Sequence, residues 1–104
     1  MANYRVELAE PAEDDLRDIA RYISAQLSAP ITALRMMEII EKALRGLSEM
    51  PKRCPLVRDD RLAELGYRTL LVEHYVAFYS INESEKVVNV ERVLYARRNW
   101  ANLL

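Results

Sequence analysis

Several residue types are scarce in this chain, and each scarcity excludes a class of protein. Its 104 residues include one cysteine, Cys54, and one histidine, His74, so neither an internal disulfide nor a zinc site is indicated. The only glycines, Gly46 and Gly66, form no glycine-rich phosphate loop. No apolar run approaches the ~20 residues of a membrane span, and none at the N-terminus suggests a signal peptide. The sequence therefore predicts a cytoplasmic protein with no cofactor, no metal and no membrane partner.

Charge is nearly balanced over the whole chain but is divided unevenly along it. The net charge is −1, with six Lys or Arg against nine Asp or Glu in residues 1–50 and nine against seven in residues 51–104. Such balance argues against strong non-specific affinity for nucleic acid, which requires many phosphate contacts. The division is either chance at this length or a sign of an acidic helical half and a mildly basic strand half.

Hydrophobic periodicity predicts a strand and then two helices in the first half of the chain. Apolar residues alternate at positions 4–8, as in a half-buried strand. Two apolar stripes with spacings of three and four then predict a long helical hairpin over residues 12–49. The run Ser28-Ala29-Pro30 ends the first helix and begins the second, and Ser28 is the expected cap of the second helix.

The second half of the chain reads as three strands that follow a loop. The loop covers residues 51–66, with a short helical turn near residues 60–65. Strands are expected at about 67–72, 75–82 and 86–95. In the third strand the apolar parity shifts between Val90 and Val93, which predicts a bulge or a bend near Arg92. This order predicts a single α+β domain over residues 1–104, in which the helical hairpin packs on one face of a mostly antiparallel four-stranded sheet.

The candidate functional surface is cationic and consists of arginines near strand ends. A guanidinium keeps its charge at physiological pH and donates in a fork to phosphate or carboxylate. We therefore expect one solvent-facing patch, although the same residues would equally suit solvated strand ends paired to nearby glutamates. The set is Arg68, Arg92, Arg97 and Arg98.

Few residues near these arginines could transfer protons. His74 has a suitable intrinsic pKa for a general base, but its place between two strands also suits a plain turn residue, which we favour. Tyr95 could donate a hydrogen bond, or simply lie at the rim of the core. Trp100, Leu103 and Leu104 form a short apolar segment that either packs on the sheet or offers an edge to a partner.

In order and spacing, four segments of this chain resemble the RelE/ParE superfamily, the toxins of bacterial type II toxin–antitoxin modules. The segments are residues 12–23, 43–51, 67–81 and 92–100, including the runs Val72-Glu73-His74-Tyr75 and Tyr95-Ala96-Arg97-Arg98. The resemblance implies a small α+β toxin that a cognate antitoxin wraps and inactivates. Operator DNA would then be reached only through the antitoxin. RelE-like members cleave mRNA on the ribosome, whereas ParE-like members inhibit DNA gyrase.

The resemblance also implies roles for the candidate residues. In a nuclease, Arg68 with Arg97 or Arg98 would stabilise charge on the phosphate. His74, Glu73 or Tyr95 would transfer protons. Antitoxin binding would involve Arg92, Trp100, Leu103 and Leu104.

Three features of the sequence favour the ParE-like branch. The chain is slightly acidic, its helical hairpin is long, and the run Val76-Ala77-Phe78 stands where several ribosome-dependent members carry a cation. We therefore predict a plasmid-stabilisation type of toxin directed at gyrase. A ribosome-dependent mRNA endonuclease and a degenerate, non-toxic antitoxin-binding protein are the alternatives.

Overall fold

The computed structural model describes residues 3–97, which form one sheet and three α-helices. The order is β1 (Arg5–Leu8), α1 (Glu10–Arg21), α2 (Pro30–Arg45), α3 (Asp60–Glu64), β2 (Arg68–Val72), β3 (Tyr75–Asn82) and β4 (Val87–Tyr95). A π-helical turn, Tyr22–Gln26, continues α1, and the 3-10 turns Gly46–Ser48 and Pro51–Arg53 follow α2. No helix in the described part of the chain combines the length and the hydropathy needed to cross a membrane.

The four strands lie in the order β1-β4-β3-β2. Strand β1 runs parallel to β4, while β2–β3 and β3–β4 are antiparallel pairs. The mostly antiparallel sheet is therefore confirmed. Phe78 lies opposite Arg92 and Tyr79 opposite Val90, so Glu91 is an extra residue on β4. This is the bulge that the shift in apolar parity predicted near Arg92.

The helical hairpin packs on one face of the sheet, as predicted. Helix α1 begins with Glu10 and has Pro11 in its first turn, where a missing N–H costs nothing. Burying each large apolar side chain in this layer stabilises the fold by about 1.5–3 kcal/mol. The main core contains Ala12 of α1, Ile40 and Leu44 of α2, Leu47, and the sheet residues Ala77, Tyr79, Val88, Val90 and Val93.

The opposite face of the sheet is also covered, which the sequence did not predict. Side chains alternate along β3, so Val76 and Phe78 point away from the hairpin. They pack with Val57, with Leu62 of α3 and with Leu94. The expected helical turn is present as α3, whose Asp59 caps the backbone N–H of Leu62 at 3.1 Å. A small second core therefore holds the loop after α2 against the sheet.

The prediction that Ser28 caps α2 is wrong. Ala29 is the residue that precedes the helix, and no side chain accepts a hydrogen bond there. A residue before proline avoids the α-helical region, so the chain must turn before Pro30. It does so at Ser28, which has a left-handed φ of 50°.

Candidate functional site

An open groove lies between the C-terminal end of α1 and the ends of β3 and β4, with a cavity volume of about 940 Å³. Ile19, Tyr22 and Leu27 line its helical side, and Tyr75 and Tyr95 line its sheet side. Tyr22 is 55% exposed, Leu27 57% and Tyr95 41%. Binding sites commonly measure roughly 300–1,000 Å³ and are mostly apolar. The groove is therefore large enough and apolar enough to take a segment of polypeptide.

Three tyrosines, Tyr22, Tyr75 and Tyr95, supply aromatic rings and hydroxyl groups to the lining of the groove. The rings of Tyr75 and Tyr95 meet edge to face, with centroids 6.0 Å apart and an interplanar angle of 71°. Burial raises the pKa of Tyr75, and the neighbouring Tyr95 and Tyr22 raise it further. The Tyr75 hydroxyl is thus a hydrogen-bond donor at neutral pH and not a base. This surface is suited to aromatic and apolar contacts with a few polar anchors.

An internal ion pair connects α1 to the bulge in β4 beside the groove. Arg92 donates from Nε to Oδ2 of Asp15 at 2.7 Å and from Nη2 to Oδ1 at 2.9 Å. The Asp15 carboxylate also accepts a hydrogen bond from the backbone N–H of Val93 at 3.0 Å. Strand β1 ends opposite Val90, so Val93 lies beyond the part of β4 that pairs with β1. The hydrogen bonds to Asp15 raise the pKa of Arg92 against the effect of burial.

Arg92 is therefore not a member of a solvent-facing patch, contrary to the expectation from sequence. Its side chain is 23% exposed and that of Asp15 is 11% exposed. A guanidinium held in this way by a carboxylate positions α1 over β4 and is committed to the fold.

Arg68 is engaged at the other end of the sheet. Its Nη1 donates to the carbonyl oxygens of Cys54 at 2.6 Å and Lys52 at 3.3 Å. The fully buried Tyr79, opposite Arg68 in the register, donates from its hydroxyl to the carbonyl of Pro51 at 2.5 Å. Arg53 donates to the carbonyl of Glu49 at 2.8 Å. We call Arg53, Arg68, Tyr79 and the carbonyls of residues 49–54 the carbonyl clamp.

His74, Tyr95 and Arg97 lie together at the end of the sheet that carries the groove. His74 belongs to the two-residue connection between β2 and β3, and its carbonyl accepts the N–H of Ala96 at 2.9 Å. The side chains of His74 and Arg97 are exposed. Arg68 lies opposite Tyr79 in the β2–β3 register. Tyr79 is four residues from Tyr75, so Arg68 lies about 13 Å along the strand from the end of the sheet that carries the groove. The expected common patch of Arg68, Arg92 and Arg97 is therefore not formed.

Some predicted residues fall outside the described part of the chain, and some groove residues were missed. Arg98, Trp100, Leu103 and Leu104 lie beyond residue 97. Tyr22, Leu27 and Tyr75 were not among the candidate residues predicted from the sequence. The sequence offered one signal for the groove, which is that the aromatic Tyr22 lies next to the apolar stripe of α1.

Across residues 3–97, no group of three or more His, Cys, Asp or Glu side chains is placed to hold a metal ion. The groove itself is lined by aromatic, apolar and a few charged side chains.

Comparison with protein families gives a match over most of the chain. The model described as ParE toxin of type II toxin-antitoxin system, parDE, matches residues 6–100. Among curated protein sequences, none matches this chain significantly. The resemblance to the RelE/ParE superfamily is confirmed by this match and by the structural likenesses.

Several solved structures share the fold. The chain is similar to one from the chromosomal ParDE system of P. aeruginosa, with 18% identity, a TM-score of 0.77, and coverage of 93% of this chain and 100% of that one. A chain of the RelBE2 toxin–antitoxin complex of Mycobacterium tuberculosis has 22% identity and a TM-score of 0.64, with 91% and 93% covered. One from the RelE–RelB complex of Pyrococcus horikoshii has 13% identity and a TM-score of 0.60, with 94% and 99% covered.

Proposed function

The chain belongs to the ParE toxin family of type II toxin–antitoxin systems, and from this premise we propose that it inhibits DNA gyrase by binding and that a cognate antitoxin neutralises it. In this proposal the toxin performs no bond cleavage. Its surface acts by contact with the target, and the antitoxin acts by covering that surface.

The single observation that carries the proposal is the separation of Arg68 from the other candidate nuclease residues. RNA cleavage requires a base, an acid and charge-stabilising groups within hydrogen-bond reach of one phosphate. Arg68 donates to backbone carbonyls in the carbonyl clamp. His74 and Arg97 lie at the opposite end of the sheet from Arg68. The net charge of −1 is also unfavourable for contacts with ribosomal RNA.

The surface available for binding supports the same proposal. The groove exposes Tyr22, Leu27 and Tyr95, and the outer face of α2 exposes Ile31 and Leu34. Large exposed apolar groups commonly mark interaction surfaces in small proteins. Two of the similar solved structures are toxin–antitoxin complexes, which supports an antitoxin as one partner.

A ribosome-dependent mRNA endonuclease is the second candidate. The observation that favours it is the gathering of His74, Tyr95 and Arg97 at one end of the sheet. A histidine, a phenol and a guanidinium could together transfer protons and stabilise a phosphate. In this case Arg68 would contribute nothing to the chemistry.

Two assays on the same induced culture separate these candidates. Expression of the chain is expected to arrest growth, with loss of plasmid supercoiling and intact mRNA, and the purified chain is expected to inhibit gyrase in vitro. Co-expression of the cognate antitoxin is expected to restore growth. Rapid mRNA cleavage with normal supercoiling would replace the proposal with the second candidate. Growth without either effect would identify a non-toxic, antitoxin-binding member.

Variants test the assignment at residue level. His74→Ala should leave gyrase inhibition intact if binding is the mechanism, whereas an endonuclease would lose most of its activity. Arg35→Ala, an exposed change on α2, is the matched control for general effects on expression.

A further inference from the structure

We propose that Asp15 is a positioning residue for the binding surface of this protein. Through its contacts with Arg92 and with the backbone of Val93, Asp15 fixes the separation between α1 and β4 and thereby the shape of the groove. This role rests on the proposed function, in which the groove surface contacts gyrase. It gives the ion pair a part in binding in addition to its part in the fold.

A helix takes the place of a strand along part of β4. Strand β1 pairs with β4 as far as Leu8 and Val90, and the N–H of Ala9 then donates to the Val90 carbonyl at 2.9 Å. Helix α1 begins at the next residue, Glu10, so it follows the remaining edge of β4. A paired strand would lie roughly 4.8 Å from β4 and leave no space. Helix α1 instead leaves a groove of about 940 Å³.

The bulge at Glu91 turns a backbone donor of β4 toward α1. Backbone N–H and C=O groups along a strand point alternately to its two sides. The Val90 carbonyl faces the side of β1 and α1, and without the extra residue the N–H groups of residues 92 and 94 would face it too. Because Glu91 is inserted, the N–H of Val93 faces that side, and Asp15 accepts it at 3.0 Å. The carboxylate thus takes the place of a strand partner for this N–H.

The contacts of Asp15 leave its side chain little freedom to move. The guanidinium of Arg92 donates two hydrogen bonds in a fork, and the Val93 N–H donates a third. The Asp15 side chain is 11% exposed, so water competes little for its oxygens. Charge-assisted forks of this kind are short and fix orientation as well as distance. Asp15 therefore sets where α1 lies relative to β4.

The helical wall of the groove depends on that placement. Asp15 and Val93 both line the groove. Ile19 and Tyr22 follow Asp15 by four and seven residues, so they lie on the same face of the helix, and both line the groove as well. A change in side-chain length at Asp15 is therefore expected to move Ile19 and Tyr22 relative to Tyr95 on the sheet side.

Asp15→Glu in the full-length chain tests this role, because it keeps the carboxylate and adds one methylene between α1 and β4. We expect the concentration that half-inhibits gyrase supercoiling to rise about tenfold for the folded variant. In NMR spectra of the free protein, the ring resonances of Tyr22, Tyr75 and Tyr95 are expected to shift. Those of Tyr79, at the other end of the sheet, are expected to stay in place.

Asp14→Glu is the matched control, since it makes the same change at the neighbouring residue of α1. Asp14 pairs with Arg17 on the exposed side of the helix and is not among the described residues that line the groove. This variant is expected to inhibit gyrase as the wild type does and to leave the groove tyrosines unshifted. Denaturant titration confirms that each protein is folded.

A second variant covers the case in which Asp15→Glu does not fold. Asp15→Asn keeps an oxygen acceptor for the Val93 N–H but removes the charge that holds Arg92. The same two measurements are expected to change in the same direction, with shifted groove tyrosines and weaker inhibition.

Two results would overturn the proposal. Unchanged tyrosine resonances in a folded Asp15 variant would show that the ion pair does not set the shape of the groove. Shifted resonances with unchanged inhibition would show that this shape does not matter for binding. A wild-type protein that fails to inhibit gyrase would refute the proposed function instead. Calorimetric affinity for the cognate antitoxin would then be the binding readout, and an unchanged affinity in the Asp15 variants would overturn the positioning role.

Discussion

On one face of β3, two tyrosines four residues apart have opposite surroundings. Tyr79 is fully buried and donates its hydroxyl to the carbonyl of Pro51, whereas Tyr75 is half-buried and lies in the wall of the open groove. Burial raises the pKa of both phenols, with an added contribution from Cys54 at Tyr79 and from Tyr95 and Tyr22 at Tyr75. The same residue type thus supports the fold at one end and forms a recognition surface at the other.

The arginines show the same division. Arg68 and Arg53 donate to the carbonyls around two 3-10 turns, whose oxygens have too few partners within their own segment. At the groove end, the backbone of β3 and β4 is paired strand to strand, and Arg97 is exposed. At the end of the sheet where backbone carbonyls lack donors, Arg53 and Arg68 supply the hydrogen bonds and are not available to a partner. At the groove end, Arg97 is exposed, whereas Arg92 is held by the Asp15 carboxylate and not by the backbone.

The ion pair beside the groove should have the largest effect when broken. Asp15→Ala leaves Arg92 part-buried without its carboxylate and removes the acceptor of the Val93 N–H. We expect a loss of about 3 kcal/mol in the free energy of unfolding, measured by denaturant titration. Asp14→Ala, which breaks the exposed pair with Arg17 on the same helix, should cost less than about 1 kcal/mol. Equal losses would show that the Asp15 pair is no more than a surface contact.

The two tyrosine environments can be compared directly by removing one hydroxyl at a time. Tyr79→Phe leaves the Pro51 carbonyl without this donor in a buried position, at an expected cost of about 1–3 kcal/mol. Tyr95→Phe removes an exposed hydroxyl and should stay within about 0.5 kcal/mol of wild type. Thermal and denaturant unfolding of both variants measure the difference. A stable Tyr79→Phe variant would remove the distinction between the clamp and the groove.

Arginine substitutions should separate stability from toxicity. Arg68→Ala removes the donor to Cys54 and Lys52 and is expected to cost about 1–2 kcal/mol, since the guanidinium is partly exposed. Arg97→Ala should change the unfolding free energy by less than about 0.5 kcal/mol while reducing growth arrest. Unfolding curves and colony counts after induction provide the two readouts. Loss of toxicity in a fully stable Arg68→Ala variant would instead assign Arg68 to the functional surface.

The smallest predicted effect is a loss of folding stability in acid, caused by Glu83 at the end of the sheet that carries the carbonyl clamp. Glu83, in the β3–β4 turn, accepts hydrogen bonds from Lys52 and Tyr4, and these lower its pKa to about 2 from an ordinary value of 4.5. A depressed carboxyl pKa stabilises the folded state above pH 4.5, and this contribution is lost as the pH falls toward 2. Glu83→Gln should therefore flatten the pH dependence of unfolding between pH 5 and 2.

The control for this measurement lies in the other tight turn of the sheet. Glu73 occupies the β2–β3 connection with a left-handed φ of 54° and has an exposed side chain. Glu73→Gln should leave the acid limb of the stability curve in place. Identical curves for the two variants would contradict the assignment of acid sensitivity to the Lys52–Glu83–Tyr4 contacts.

Local signals in the sequence were sufficient for the elements and for the family. Period-two and 3–4 spacings gave the strands and the hairpin, and the parity change between Val90 and Val93 indicated the bulge at Glu91. These signals succeed because they depend on residues that are close together in the chain. The prediction of a Ser28 cap was wrong because α2 begins at Pro30 itself, so that Ala29 is the residue before the helix. The restriction that proline places on the preceding residue keeps Ala29 out of the helix.

The sequence by itself determined the α+β order, the helical hairpin and the ParE family, since periodicity and motif spacing are properties of neighbouring residues. Only the tertiary structure decided which arginine side chains are engaged in hydrogen bonds and ion pairs within the fold. Asp15 meets Arg92 across 77 positions of the chain, and Arg68 meets the carbonyl of Cys54 across 14. Such partners are set by the packing of α1 and the post-α2 loop on the sheet, which no local pattern encodes.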